Sequence, residues 1–132
     1  EIPNPWSFYP NITIGSHSWS YGYNSSYTSR EYQYDGSVYR DRVVHFFSAG
    51  NQAILSGDFH VESPASAPNV IAVGAVSPTN HRYKVYSRHV NPARGHQKPE
   101  VANYAEFILH KNQKTNEDSI LESLFKLLII DL

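Results

Sequence analysis

Residues 43–51 read Val43-Val44-His45-Phe46-Phe47-Ser48-Ala49-Gly50-Asn51. The first five, VVHFF, are β-branched or aromatic apart from His45, and the run is too short for a typical helix. Such a run predicts a strand buried on both faces, as found in parallel sheets. It stops in three small residues, and an asparagine follows. A strand ending this way presents the Asn51 amide at its carboxyl end, where open α/β sheets bind their ligands. Ala49 and Gly50 carry too little side chain to obstruct a ligand. The amide N–H can donate to an oxygen that gains negative charge, and losing one such donor raises a barrier by about 3–4 kcal/mol. Taken alone, Ser48 to Asn51 also fit a plain turn with Asn51 in the left-handed region.

Working outward, residues 70–76 (VIAVGAV) form a second buried-strand pattern, closed by Ser77-Pro78-Thr79-Asn80. Residues 83–87 are a candidate third strand, 95–99 a turn, and 101–109 fit no single element. On the amino-terminal side, residues 12–19 alternate loosely, with Ile12 and Ile14 on one face of a candidate strand. Residues 21–34 are dominated by Tyr, Ser and Asn. They read either as a loop of exposed aromatics or as a loop leading into a helix from about Ser29, with Ser29 as N-cap. Gly36 weakens that helix by roughly 1 kcal/mol relative to Ala. Residues 1–11 read as an irregular lead-in and 52–68 as loop. In the tail, Ser119-Ile120-Leu121-Glu122 matches a capping box, and Ile120, Leu121, Leu124, Leu127 and Leu128 follow at helical spacing. The expected class is α/β: part of a parallel sheet with flanking helices, in an incomplete domain.

A chain of 132 residues suffices for one modest core, and 40% hydrophobic with 17% charged residues suits a globular protein. A net charge of -1 gives no reason to expect a nucleic-acid or membrane-surface partner. Without cysteine, neither disulfides nor thiolate metal sites form. No apolar run reaches membrane-spanning length. Methionine is absent and Glu1 comes first, so we expect an internal or processed start, with any export signal upstream.

Four blocks, in order, resemble the subtilisin-like serine proteases, the subtilases. Ser16-His17-Ser18-Trp19-Ser20 resembles the family's N-S-W-G cleft strand, and residues 43–51 resemble the strand ending in A-A-G-N. Residues 62–76 (ESPASAPNVIAVGAV) closely match G-S-P-A-T-A-x-N-V-I-T-V-G-A, and Lys98-Pro99-Glu100-Val101 resembles K-P-D-V. The resemblance runs from about Thr13 to Ile108. It implies that residues 1–110 are part of a peptidase domain, with 111–132 a divergent polar linker and amphipathic helix. It implies that Ser18, Trp19 and Ser20 form an edge on which an extended peptide pairs by strand addition. Ser48, Ala49 and Gly50 would wall the pocket for the residue before the scissile bond, and Asn51 would be the side-chain half of the oxyanion hole.

The family's triad motifs, D-[ST]-G, H-G-T-H and G-T-S-M-A, do not occur in the sequence. The family's F-S-S-R-G becomes Val85-Tyr86-Ser87-Arg88-His89, and its A-P-G turn becomes Asn103-Tyr104-Ala105. After Ile108 the resemblance fades, and the tail reads either as a divergent helix or as the out-of-frame end of a truncated gene. The seven histidines show no H-E-x-x-H or comparable metal spacing, and His45 reads as a satisfied core imidazole. No cofactor is evident. Calcium is implied by the family alone, and Glu31, Asp58 and Glu62 are too scattered in sequence for an oxygen cage. The aromatics from Tyr21 to Tyr39 read as loop surface covering the sheet rather than as a ligand platform.

Two functions follow. One is a segment of a secreted or cell-surface serine endopeptidase, acting on peptide or protein substrates, inert alone and completed by the rest of the protease domain. The other is a non-catalytic module that binds extended peptides.

Overall fold

The computed structural model describes residues 11–92 and 96–105. Four parallel strands form one sheet in the order β1 (Ile14–His17), β2 (Val44–Ser48), β3 (Ile71–Val76) and β4 (Val101–Tyr104). The register aligns Ile14 with Val44, Phe46 with Ile71, and Val73 with Val101. Parallel neighbours need crossover connections. Helix α1 (Ser29–Asp41) supplies the first, and the second contains the short helix α2 (Ala53–Ser56). No helix among the described residues is long and apolar enough to cross a membrane.

Helix α1 starts at Ser29 as expected, but its N-cap lies one residue before the expected one. Thr28 is the cap, because Glu31 lies three residues on and completes a reciprocal capping box. The Glu31 carboxylate accepts from Thr28 N at 2.8 Å and from the Thr28 hydroxyl. Glu31 is fully buried, and its other oxygen accepts from Ser66 Oγ at 3.1 Å. Burial pushes this carboxyl up, but the hydrogen bonds from Thr28 help to outweigh it, and the group is held below its ordinary value. The helix ends at Arg42 in the left-handed region, φ 58°.

The strand at residues 43–47 is present, shifted by one residue, but it is not buried on both faces. His45 and Phe47 are buried, whereas Val44 is 42% exposed and Phe46 half-buried. The core lies on the His45 and Phe47 face. There Phe47, Ala49, Val61, Ala65, Ala67, Val70 and Ala72 cluster, with Tyr34 of α1 packed against them. Of the tyrosine-rich stretch, Tyr34 therefore covers the sheet, while Tyr32 and Tyr39 stay exposed.

The third strand is not at residues 83–87. Past the end of β2, Ala75 has no strand beside it on that side among the described residues. Its carbonyl accepts from Lys84 N at 2.9 Å, and its N–H donates to Ser87 Oγ at 2.9 Å. Residues 83–87 thus cap an edge, with a single antiparallel bridge from Tyr83 to Val76. The strand beside β3 is β4, within the stretch that sequence left open. Lys98 and Glu100, just before β4, hold the start of β3. Lys98 Nζ donates to Val70 O at 2.7 Å and pairs with Glu100 at 2.6 Å, while Ala72 N donates to Glu100 Oε2 at 2.7 Å. The helix expected from Ser119 lies outside the described residues.

Beneath α1, two histidines join β1 to β2. His45 Nε2 lies 2.5 Å from Ser37 Oγ, whose own proton goes to Tyr34 O at 3.0 Å. Ser37 therefore accepts from His45, leaving His45 Nδ1 to accept from His17 Nε2–H at 3.0 Å. Both rings are neutral in this arrangement, as expected of a satisfied core imidazole. Burial lowers each to about 4, and for His17 the neighbouring His45 adds to the effect. The folded values lie below the unfolded one near 6.5, so the unfolded chain binds more protons between them. Stability is fully present above pH 6.5 and falls as pH drops toward 4. Urea unfolding should show this slope between pH 6.5 and 5, above the range where carboxylates contribute. A His17→Gln/His45→Gln variant should lose it, and an equal slope in that variant would refute the assignment.

Candidate active site

The carboxyl ends of the parallel strands open into a cleft of about 120 Å³. Ser16 after β1's midpoint, Phe46 and Ser48 of β2, Ala75 of β3 and Asn103 of β4 line it together with Asn51. Residues 46 and 48 lie on the more open face of β2, and His17 and Phe47 also border the cleft. Asn51 is exposed, three residues past the end of β2.

Ser48 and Asn51 reach this cleft, whereas Ala49 and Gly50 turn inward. Ala49 is buried in the core, with its N–H on Val73 O at 2.9 Å and its carbonyl accepting from Glu62 N at 3.1 Å. Gly50 is buried with φ 112°, a conformation that L side chains rarely adopt. A Cβ there would lie 2.7 Å from both Glu62 Cδ and Arg88 Cδ. The space that small residues leave beside Gly50 is thus already filled.

Ser18, Trp19 and Ser20 follow β1 and are exposed. Trp19 packs edge-on against Tyr21 at 5.2 Å and Phe47 at 5.4 Å, which fixes its indole between the segment and the core. Ser20 Oγ donates to Glu62 Oε2. The backbone beyond it is tied to the same place, with Tyr21 N on Ser63 O at 2.9 Å and Ser63 N on Gly22 O at 3.0 Å. Residues 61–63 therefore bridge the Ser18–Ser20 segment and the end of β2.

Glu62 and Arg88, both buried, form the centre of that bridge. Arg88 Nε lies 2.7 Å from Glu62 Oε1, off the N–H direction, so the contact acts as a charge pair more than as an aligned hydrogen bond. The rest of the guanidinium holds His60 O at 3.1 Å, Ser56 Oγ at 3.0 Å and Asp58 at 3.4 Å. Glu62 opens the third family-like block and Arg88 stands in the altered F-S-S-R-G stretch, and the sequence alone assigns neither a role. Their only sequence signal was a charge inside a small or apolar stretch.

Asp58 and His60 do meet, at 2.7 Å between Oδ1 and Nδ1. Burial pushes the Asp58 carboxyl up, but the hydrogen bonds from His60 and the charge of Arg88 together outweigh it and hold the group below its ordinary value. Among the described residues no group of three His, Cys, Asp or Glu could hold a metal ion.

The Gly50 geometry makes a direct prediction. Gly50→Ala forces both an unfavourable φ and a contact with two buried side chains, and should destabilise the fold by about 2 kcal/mol or more. Gly22→Ala, also at positive φ but with open space around it, should cost less. Equal losses in denaturant unfolding would contradict the crowding at Gly50.

No curated protein matches the chain. The family model of the subtilase family, Peptidase_S8, matches residues 6–126. With most of its length matched, and with a four-stranded parallel sheet consistent with that fold, the chain belongs to the subtilase family of serine peptidases.

Proposed function

We propose that this chain is the part of a serine endopeptidase domain that binds the substrate's extended backbone and stabilises the oxyanion. The observation that carries the reading is Asn51: an exposed amide, beyond the end of a central parallel strand, on the wall of the cleft at the strand ends. During acyl transfer a serine attacks the scissile carbonyl and a histidine takes its proton, and negative charge collects on the carbonyl oxygen. Asn51 would donate to that oxygen. Trp19, Ser18 and Ser20 would offer the edge for the peptide backbone, and Ser48 would stand beside the residue preceding the scissile bond. Peptides or proteins are the substrates, and a secreted or cell-surface setting goes with the family. The nucleophile belongs to the rest of the protease domain, since G-T-S-M-A does not occur in this sequence.

Two outcomes are expected. The chain alone should neither hydrolyse peptides nor take up a fluorophosphonate probe, and stoichiometric labelling of any serine would count against the reading. In a protease domain carrying this segment with its nucleophile, Asn51→Ala should lower kcat by roughly 10²–10³-fold with KM nearly unchanged. Asn51→Leu, closer in volume but without a donor, should do the same. Normal kcat in both variants would leave Asn51 a turn residue. Peptide binding without turnover in the complete domain would favour the non-catalytic module.

A further inference from the structure

The face of the sheet opposite His45 and Phe47 is apolar and open. Its cross-strand neighbours set Ile14 beside Val44, Phe46 beside Ile71, and Val73 beside Val101. Ile14, Val44 and Val101 are 64%, 42% and 47% exposed, and the other three are half-buried. Parallel sheets bury both faces, so this surface calls for a cover. The chain holds a second apolar surface with the same need. Residues 120–130 read ILESLFKLLII, in which only Glu122, Ser123 and Lys126 are polar. At the helical spacing already noted, these three fall within one narrow arc and the rest of the circumference is apolar. We propose that residues 119–132, as a helix, dock on the open face over β2 and β3.

Size and chemistry both fit. A helix over 119–132 is about 20 Å long and about 10 Å wide, which covers two strands set roughly 4.8 Å apart along their length. Residues 105–118 can extend over roughly 45 Å, so the helix reaches this face from the end of β4. Its apolar arc meets Val44, Phe46, Ile71 and Val73, while Glu122 and Lys126, one turn apart, pair on the water side. Attachment decides the occupant. A segment on a short linker acts at an effective concentration near ~1 mM, and a second copy of the chain at micromolar concentration competes poorly with it. Phe46 and Val73 also border the cleft at the strand ends. The docked helix therefore supplies part of the wall of that cleft.

The absence of cysteine makes the test clean, since any disulfide formed is an introduced one. In the full chain, Val44→Cys or Val73→Cys is combined with Leu121→Cys, Leu124→Cys or Leu128→Cys, and each pair is mildly oxidised at low micromolar concentration. A disulfide needs its two Cα atoms within about 7 Å, so three tail positions on successive turns sample the register. At least one pair should close within a single chain in most molecules. Tyr39→Cys, at an exposed position on α1 across the sheet, should close with none of them. Equal closure from Tyr39→Cys would mean a tail without a fixed seat and would overturn the proposal. Disulfide-linked dimers in place of intramolecular closure would give the face to a second copy, and no closure at all would give it to neither; both overturn the proposal. Independently, Leu124→Asp/Leu128→Asp should uncover the face and raise the fluorescence of the hydrophobic dye ANS at least about 3-fold. Unchanged dye binding in that variant would show that these leucines cover nothing.

Discussion

A glutamate and an arginine, both buried, meet where three separate stretches of chain converge. Glu62 follows the loop after α2, Arg88 follows the edge-capping segment, and Gly50 lies two residues past β2. Stripping water from two charges is costly, and their attraction repays it only when the remaining polar atoms are satisfied. Here Ser20, Ser56, Asp58 and the His60 carbonyl provide those contacts. Breaking such a pair by removing one partner leaves a lone buried charge, at about 3–5 kcal/mol. The geometry at the end of β2 is thereby fixed. Gly50 can be no other residue without strain, and Asn51 leaves it in one direction, into the cleft.

A similar logic of local satisfaction runs through the sheet. Parallel strands of unequal extent leave backbone groups without a strand partner, and buried groups of that kind need another. β3 is the case in point. Its start is held by Lys98 and Glu100, and its end, past the limit of β2, by Lys84 N and Ser87 Oγ. The Lys98 ammonium is drawn below its ordinary value by burial, against the opposing pull of Glu100. The sheet thus uses side chains as substitutes for neighbouring strands, and those side chains come from the segments that lead into β4.

Between α1 and the sheet lies a layer of rings. His17 stacks on Phe47 at 4.2 Å, and Tyr34 meets both His45 at 5.1 Å and Phe47 at 4.8 Å. Trp19 continues the layer outward toward the cleft edge. The helix, the core and the candidate binding edge are therefore one packed unit.

Much of this architecture was legible from residues 43–51 and 70–76. The apolar β-branched runs ending in small residues marked β2 and β3, and helix α1 was expected from about Ser29, although its capping box at Thr28 and Glu31 was not read. The position of Asn51 at a strand's carboxyl end also followed from sequence. Other features did not. The open face of β2, the edge-capping role of residues 83–87 and the strand at 101–104 depend on which segments lie alongside, and no periodicity encodes a neighbour. Glu62 and Arg88 are 26 positions apart in the sequence, and each reads there as an ordinary charge. Only folding, which excludes water and brings the two within 2.7 Å, turns them into a buried pair that fills the space beside Gly50.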